Sequence, residues 1–169
     1  MMSTEWLSER QRHGGIDEVP LPDGVDGRLW LCGKRAIADG QCADADAPWS
    51  TVVCLCQRHE LHGRYPDYVA WMEEPGDHSV WWPVPDLGAK PLEATVPFID
   101  GLAARLRAGE HLLVHCAAGI GRAGTTAVCV LIRLGVDVDT ARQVVAEARP
   151  GAGPEAGSQL ALVRAVATA

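Results

Sequence analysis

The chain has 169 residues, enough for one sizeable core and too few for two ordinary domains. Its 22 acidic residues outnumber 15 basic ones, for a net charge of −7 with no Lys/Arg block, which argues against nucleic acid and against an anionic membrane surface as partners. Hydrophobic content of 47% marks a globular chain, and the longest apolar candidate, Thr125 to Val136, is broken by Arg133 and reads as a buried helix rather than a membrane span.

Met1 to Arg10 lacks the basic and apolar regions of a signal peptide, so a cytoplasmic location is expected. Residues 1–27 are rich in Gly, Asp and Pro, with Gly14-Gly15 and Pro20-Leu21-Pro22-Asp23-Gly24, and predict an irregular leader with a turn of helix near its start. Residues 28–169 read as a single domain. Arg28 to Cys32 is a first strand and Thr51 to Cys56 a buried one; Tyr65 to Glu74 is helical and stops before Pro75-Gly76; His78 to Trp82 is the next strand. A helix over about 92–107 carries Val96, Ile99, Ala103 and Leu106 at helical spacing and stops at Gly109; Pro97 is awkward inside it unless Thr95 caps a late start. Leu112 to His115 is the central strand, followed by helices at 122–134, 140–148 and 158–167 with Asp139 and Ser158 as caps. Strands separated by helices predict an α/β fold in three layers, a mostly parallel central sheet flanked by helices.

Six cysteines, Cys32, Cys42, Cys54, Cys56, Cys116 and Cys129, in a chain without an export signal are expected to be reduced. No Cys-x2-Cys pair occurs, and the sulfurs of Cys54 and Cys56 are expected on opposite faces of their strand, so no zinc, other metal or cofactor is called for. Cys56 reads as core packing, with capture of an oxidised Cys116 as the sharper alternative. Trp81 and Trp82 read as packing residues, and His59, Glu60 and His62 as solvated loop residues.

The chemistry concentrates in His115-Cys116-Ala117-Ala118-Gly119-Ile120-Gly121-Arg122, a loop between strand and helix with a cysteine at its mouth. A helix N-terminus offers unpaired N–H groups and partial positive charge, and the small residues 117–121 let those donors curl around one tetrahedral anion. The same field favours the thiolate of Cys116, and Arg122, where the helix begins, is placed to grip two phosphate oxygens. Upstream, Trp82-Pro83-Val84-Pro85-Asp86-Leu87-Gly88 supplies a carboxylic acid, Asp86, on a loop that can protonate a leaving oxygen.

These segments, with Arg149-Pro150-Gly151-Ala152 and Gln159, resemble the cysteine-dependent protein tyrosine and dual-specificity phosphatases, in particular the compact, kinase-associated phosphatase-like branch. The resemblance covers most of residues 28–165. It implies Cys116 as nucleophile, Arg122 as phosphate ligand, Asp86 as acid, and His115 as the residue that orients the loop and favours the thiolate. Gln159 is a candidate for positioning the attacking water, against the plainer reading of a solvated glutamine just before the terminal helix. Arg149 is either a second contact for an anionic substrate or a helix C-terminal cation.

One position departs from the pattern. Many members carry Ser or Thr after the loop arginine, where a hydroxyl assists release of the thiolate; here it is Ala123, which predicts slow hydrolysis of a phosphocysteine. The expected substrate is a phosphorylated protein, phosphotyrosine first and phosphoserine or phosphothreonine also admitted. Glucan or phosphoinositide phosphatase activity is the alternative within the enzyme class, ranked lower because Ala117, Ala118 and Ile120 supply no loop lysine for an inositol lipid. From a different class comes a phosphoprotein-binding pseudophosphatase, for which Ala123 leaves room. Oligomeric state is left open.

Overall fold

The computed structural model describes residues 8–38 and 44–169. Cys42 lies outside the described residues, as does the very start of the leader.

The leader is not irregular where it is described. Helix α1 (Glu9–His13) is closed in front by a Ser8/Gln11 capping box and behind by Gly14, whose φ of 84° suits a helix C-cap. The Gly14-Gly15 pair that suggested a loop is thus the stop of a helix and the turn into a strand, β1 (Ile16–Val19). This strand pairs antiparallel with β2 (Arg28–Gly33), Ile16 opposite Cys32 and Val19 opposite Leu29.

After β2 come the short helix α2 (Lys34–Ile37), β3 (Thr51–Cys54), a 3-10 turn at Arg58–Glu60, α3 (Pro66–Glu73) and β4 (Ser79–Trp81). Then follow α4 (Leu92–Arg107), β5 (His111–Cys116), α5 (Gly121–Arg133), α6 (Val138–Ala148) and α7 (Gly157–Thr168). The five strands lie in the order β1-β2-β5-β3-β4, all parallel except β1. β5 sits in the middle, with Val114 between Leu31 of β2 and Val53 of β3.

Strand alternation divides the core in two. Leu29, Leu31, Val53, Leu112 and Val114 point to one face and pack on α4 to α7, while Trp30, Cys32, Val52, Cys54 and Leu113 point to the other and pack on α2 and α3. The result is the expected three-layer α/β arrangement. Helix α5 is buried along Gly121 to Leu131 and packs against α4, α6 and α7, so its N-terminus is held by contacts on every side.

α4 spans the expected 92–107 and keeps Pro97 inside it, so Thr95 does not cap a late start. Pro97 lies on the exposed side of the helix, and its missing N–H leaves the carbonyl four residues earlier without its helical donor. The cap of α6 is Asp137, whose Oδ2 accepts the Thr140 N–H at 3.2 Å, rather than Asp139. α7 begins at Gly157 with Ala156 at the cap position, so Ser158 is free for a different contact. No described helix is long and apolar enough to cross a membrane.

Candidate active site

β5 delivers Cys116 to the carboxyl end of the sheet, and the chain turns through residues 117–120 into α5. Every carbonyl of that turn has a partner on its outer side. Cys116 O accepts from His115 Nδ1 (3.2 Å), Ala117 O from the Lys34 N–H (3.1 Å), and Ala118 O and Gly119 O from Arg149 (2.8 and 3.0 Å). Ile120 O accepts from the N–H groups of Gly124 and Gly153, both at 3.0 Å. A trans peptide holds its N–H opposite its C=O, so tying five successive carbonyls outward turns the N–H groups of residues 117–121 to the inner side. Gly119 is required for this path: its φ is +75°, and a Cβ there would stand 2.4 Å from the Cys32 carbonyl.

Cys116 is 3% exposed, and its Sγ accepts the Gly119 N–H at 3.3 Å, a contact that strengthens when the sulfur is an anion. His115 is wholly buried. Its Nδ1 faces a carbonyl and therefore carries the hydrogen, which leaves Nε2 to accept from the Tyr68 hydroxyl at 2.5 Å. Burial pushes the Tyr68 phenol well above its ordinary range, aided by its sulfur neighbours, so it remains a donor.

Arg122 is committed along two of its edges. Its Nη1 donates to Glu60 Oε2 and to Val84 O, both at 2.8 Å, and its Nη2 donates to Glu60 Oε1 at 2.7 Å. The Nε–H and the second Nη2 hydrogen, which form the side fork of the guanidinium, have no hydrogen-bond partner among the described residues. Burial raises the Glu60 carboxyl, but hydrogen bonds from Arg122 and the Gln57 N–H outweigh it and hold the group below its usual range. Burial likewise lowers Arg122, and the Glu60 pairing more than reverses that, so the arginine is a fixed cation.

Asp86 sits on the loop after β4, its side chain 75% exposed and its Oδ1 3.6 Å from Arg122 Nη2. That loop is pinned on both sides: Val84 N–H donates to Leu55 O, Ser158 Oγ to Leu87 O and Gln159 Nε2 to Gly88 O. A cavity of about 30 Å³ lies behind it, lined by Trp82, Val84, Phe98, Thr125 and Cys129.

The structure therefore gathers Cys116, Arg122, His115 and residues 117–121 at one point, with Asp86 above them. Gln159 is neither solvated nor ahead of the helix: it is 1% exposed, inside α7, with its amide on the acid loop and on the Glu155 N–H. Arg149 stands at the C-cap of α6, as one of its two readings expected, but it is 4% exposed and its side-chain donors go to Ala118, Gly119 and the N-terminal segment rather than to the end of that helix. Glu60 is the residue sequence reasoning missed; the available signal was its place three residues after Gln57, whose N–H it caps at 2.7 Å, just past the carboxyl end of β3. His59 and His62 are exposed, as expected. Trp82 stacks on Phe98 at 4.4 Å and Trp81 donates to Cys56 O, so both tryptophans serve packing.

Cys54 and Cys56 lie on one face, not opposite ones, because residues two apart in an extended chain share a side. With His115 they place three ligand-type atoms within 4.8 Å of one another, all buried. The trio is a poor metal cage, since a hydrogen bond with Cys54 and burial push the Cys56 thiol up, and His115 Nε2 is already taken by Tyr68.

Residues 25–168 match the family described as PTP-SAK: Swiss Army Knife protein, DSP-PTPase phosphatase domain. No curated protein sequence matches the chain significantly. Among solved structures, the chain is similar to kinase associated phosphatase carrying a substitution of its catalytic-site cysteine (TM-score 0.71, 16% identity, covering 92% of this chain and 96% of that one). It is also similar to the active form of Tk-PTP (0.67, 23%, 90% and 97%) and to human DUSP28 (0.66, 23%, 90% and 93%). At these identities the likeness establishes the fold.

Proposed function

Because the chain belongs to the PTP-SAK family of DSP-PTPase phosphatase domains and is therefore a cysteine-dependent phosphatase, we propose that it dephosphorylates proteins at phosphotyrosine, and at phosphoserine or phosphothreonine, through a phosphocysteine on Cys116. The observation that carries the reading is the pairing of an inward-facing set of N–H groups with an uncommitted guanidinium fork beside one sulfur.

The thiolate of Cys116 attacks phosphorus opposite the ester oxygen, forming the S–P bond as the P–O bond breaks. The N–H groups of residues 117–121 and the side fork of Arg122 hold the three equatorial oxygens, whose charge they meet without reorganising. Asp86 gives its proton to the departing oxygen, releasing an alcohol or phenol. A water then attacks phosphorus, its proton passing to the Asp86 carboxylate, and the sulfur leaves as thiolate with orthophosphate released.

Hydrolysis of an aryl phosphate and of phosphotyrosine, phosphoserine and phosphothreonine peptides tests this directly. Turnover that disappears in Cys116→Ser, with phosphotyrosine peptide preferred, is expected. The second reading, a phosphoprotein-binding module, is favoured by Ala123, which puts no hydroxyl in the first turn of α5. Tight peptide binding without any phosphate release by the unmodified protein would establish that module instead.

A further inference from the structure

Arg149 lies between the phosphate loop and the N-terminal segment and makes two hydrogen bonds to the first and three to the second. Nε and Nη2 donate to Gly119 O and Ala118 O at 3.0 and 2.8 Å. Nη1 donates to Gly14 O (3.2 Å), Gly15 O (3.1 Å) and Asp17 Oδ2 (2.8 Å). Asp17 is the one carboxylate paired with Arg149 among the described residues, and Arg10 holds its other oxygen at 2.5 Å.

The two carbonyls that Arg149 holds belong to the two peptides at the crest of the loop. In the peptide joining residues 118 and 119, the C=O points at the guanidinium while the N–H points the opposite way, onto Cys116 Sγ at 3.3 Å. In the next peptide the Gly119 C=O points at the guanidinium, which sends the Ile120 N–H inward too. A cation behind these peptides also polarises them in the sense that strengthens both inner N–H donors.

The geometry points to the N-terminal segment Gly14–Asp17 as a positioning element of the phosphate loop, with Arg149 as the link and Asp17 as the anion that keeps the link in place. The inference rests on the phosphatase reading for its consequence in turnover and on the peptide geometry for its mechanism. A guanidinium that is 4% exposed cannot stay where it is without a counter-charge. Without Asp17 it turns toward solvent and lets go of Ala118 and Gly119, and their N–H groups lose their direction. The leader strand β1 would then be an activity determinant although it lies at the sheet edge, and anything that strips it from β2 would disable the loop.

The test uses the full chain with Asp17→Asn, and Glu18→Gln as control, since Glu18 is the next residue on β1 but pairs with Arg28 outside the site. Three readouts are compared at equal folded fraction: alkylation of Cys116 by iodoacetate, affinity for orthovanadate, and kcat/KM on an aryl phosphate. Asp17→Asn should lower each about five- to tenfold, Asp17→Glu should restore part of the loss, and Glu18→Gln should change none. Folded Asp17→Asn with alkylation and vanadate affinity like the unaltered protein overturns the proposal. If Asp17→Asn does not fold, Arg149→Lys, which keeps the cation and loses the fork, decides in the same way, and unaltered vanadate affinity refutes it. Alkylation needs no turnover, so a chain that hydrolyses nothing yet shows the Asp17 effect refutes the enzymatic reading and leaves the positioning role standing.

Discussion

Glu60 holds the guanidinium of Arg122 end-on through both carboxylate oxygens, at 2.7 and 2.8 Å, and thereby fixes which edge of the arginine stays open, the edge proposed to take phosphate. Both side chains are largely buried, 2% and 13% exposed, so the pair is rigid. Glu60→Gln keeps the size but turns one acceptor into a donor facing another donor. The arginine should then swing off its plane, and displacement of this order at a reacting centre costs about 10²-fold in kcat/KM. Steady-state kinetics on an aryl phosphate check it; a loss below about threefold would contradict the assignment.

The same carboxylate gives a pH signature. Burial alone would raise the Glu60 carboxyl, yet the hydrogen bonds from Arg122 and the Gln57 N–H hold it below the ordinary glutamate value of 4.5. A depressed folded-state value means the unfolded chain binds the proton first, so this stabilisation is present above about pH 4.5 and drains away as pH falls through the folded value. Urea midpoints between about pH 3 and pH 6 should fall more steeply for the unaltered protein than for Glu60→Gln, and the difference between the two removes the contribution of other carboxylates.

How far the sequence could be read follows contact distance along the chain. The phosphate loop was legible because an apolar strand, a run of small residues and an apolar helix are adjacent, and adjacency is what pattern reading sees. α4 was legible at both ends for the same reason, even with Pro97 inside it. Glu60 was not, because its partner Arg122 lies 62 positions later, and a glutamate after a strand end reads as surface until that partner is known. The contacts of Gln159 and Arg149 were out of reach for the same reason: their hydrogen bonds go to Gly88 and Gly15, 71 and 134 positions away. β1 was missed because four residues between a Gly pair and a Pro become a strand only when β2 offers an edge.

Tyr68 and His115 form a buried contact next to Cys116. Tyr68→Phe leaves His115 Nε2 an acceptor without a donor in a wholly buried place, at a cost of about 1–3 kcal/mol. Thermal unfolding should shift down by about 3–10 °C, with the phenylalanine otherwise filling the same space. An unchanged midpoint would mean that the hydroxyl does not serve His115.

Ala123, buried in the first turn of α5, offers no hydroxyl to a departing thiolate. Hydrolysis of the phosphocysteine should then lag its formation, so rapid mixing with a nitrophenyl ester should show a burst of one equivalent before the steady rate. Ala123→Ser should shrink the burst and raise kcat about tenfold while leaving kcat/KM nearly alone, because the first irreversible step is untouched. A linear start in the unaltered protein rejects the assignment of the slow step.

The acid loop carries its own strain. Leu87, next to Asp86, has φ of 58°, a conformation that costs a non-glycine residue about 1–2 kcal/mol, and it is 53% exposed, so core packing does not hold it there. Hydrogen bonds do: Ser158 Oγ reaches Leu87 O and Gln159 Nε2 reaches Gly88 O, both at 3.3 Å. Asp86→Asn removes the proton donor and should lower turnover of a phosphoserine peptide by about 10²-fold or more, but that of a nitrophenyl ester by under about tenfold, since that leaving group scarcely needs a proton. Gln159→Ala keeps the acid and loosens its loop, so it should show the same leaving-group bias at smaller size, about tenfold on the phosphoserine peptide. If both variants lose activity equally on the two substrates, proton donation is not what Asp86 contributes, and the clamp from α7 serves something other than the acid.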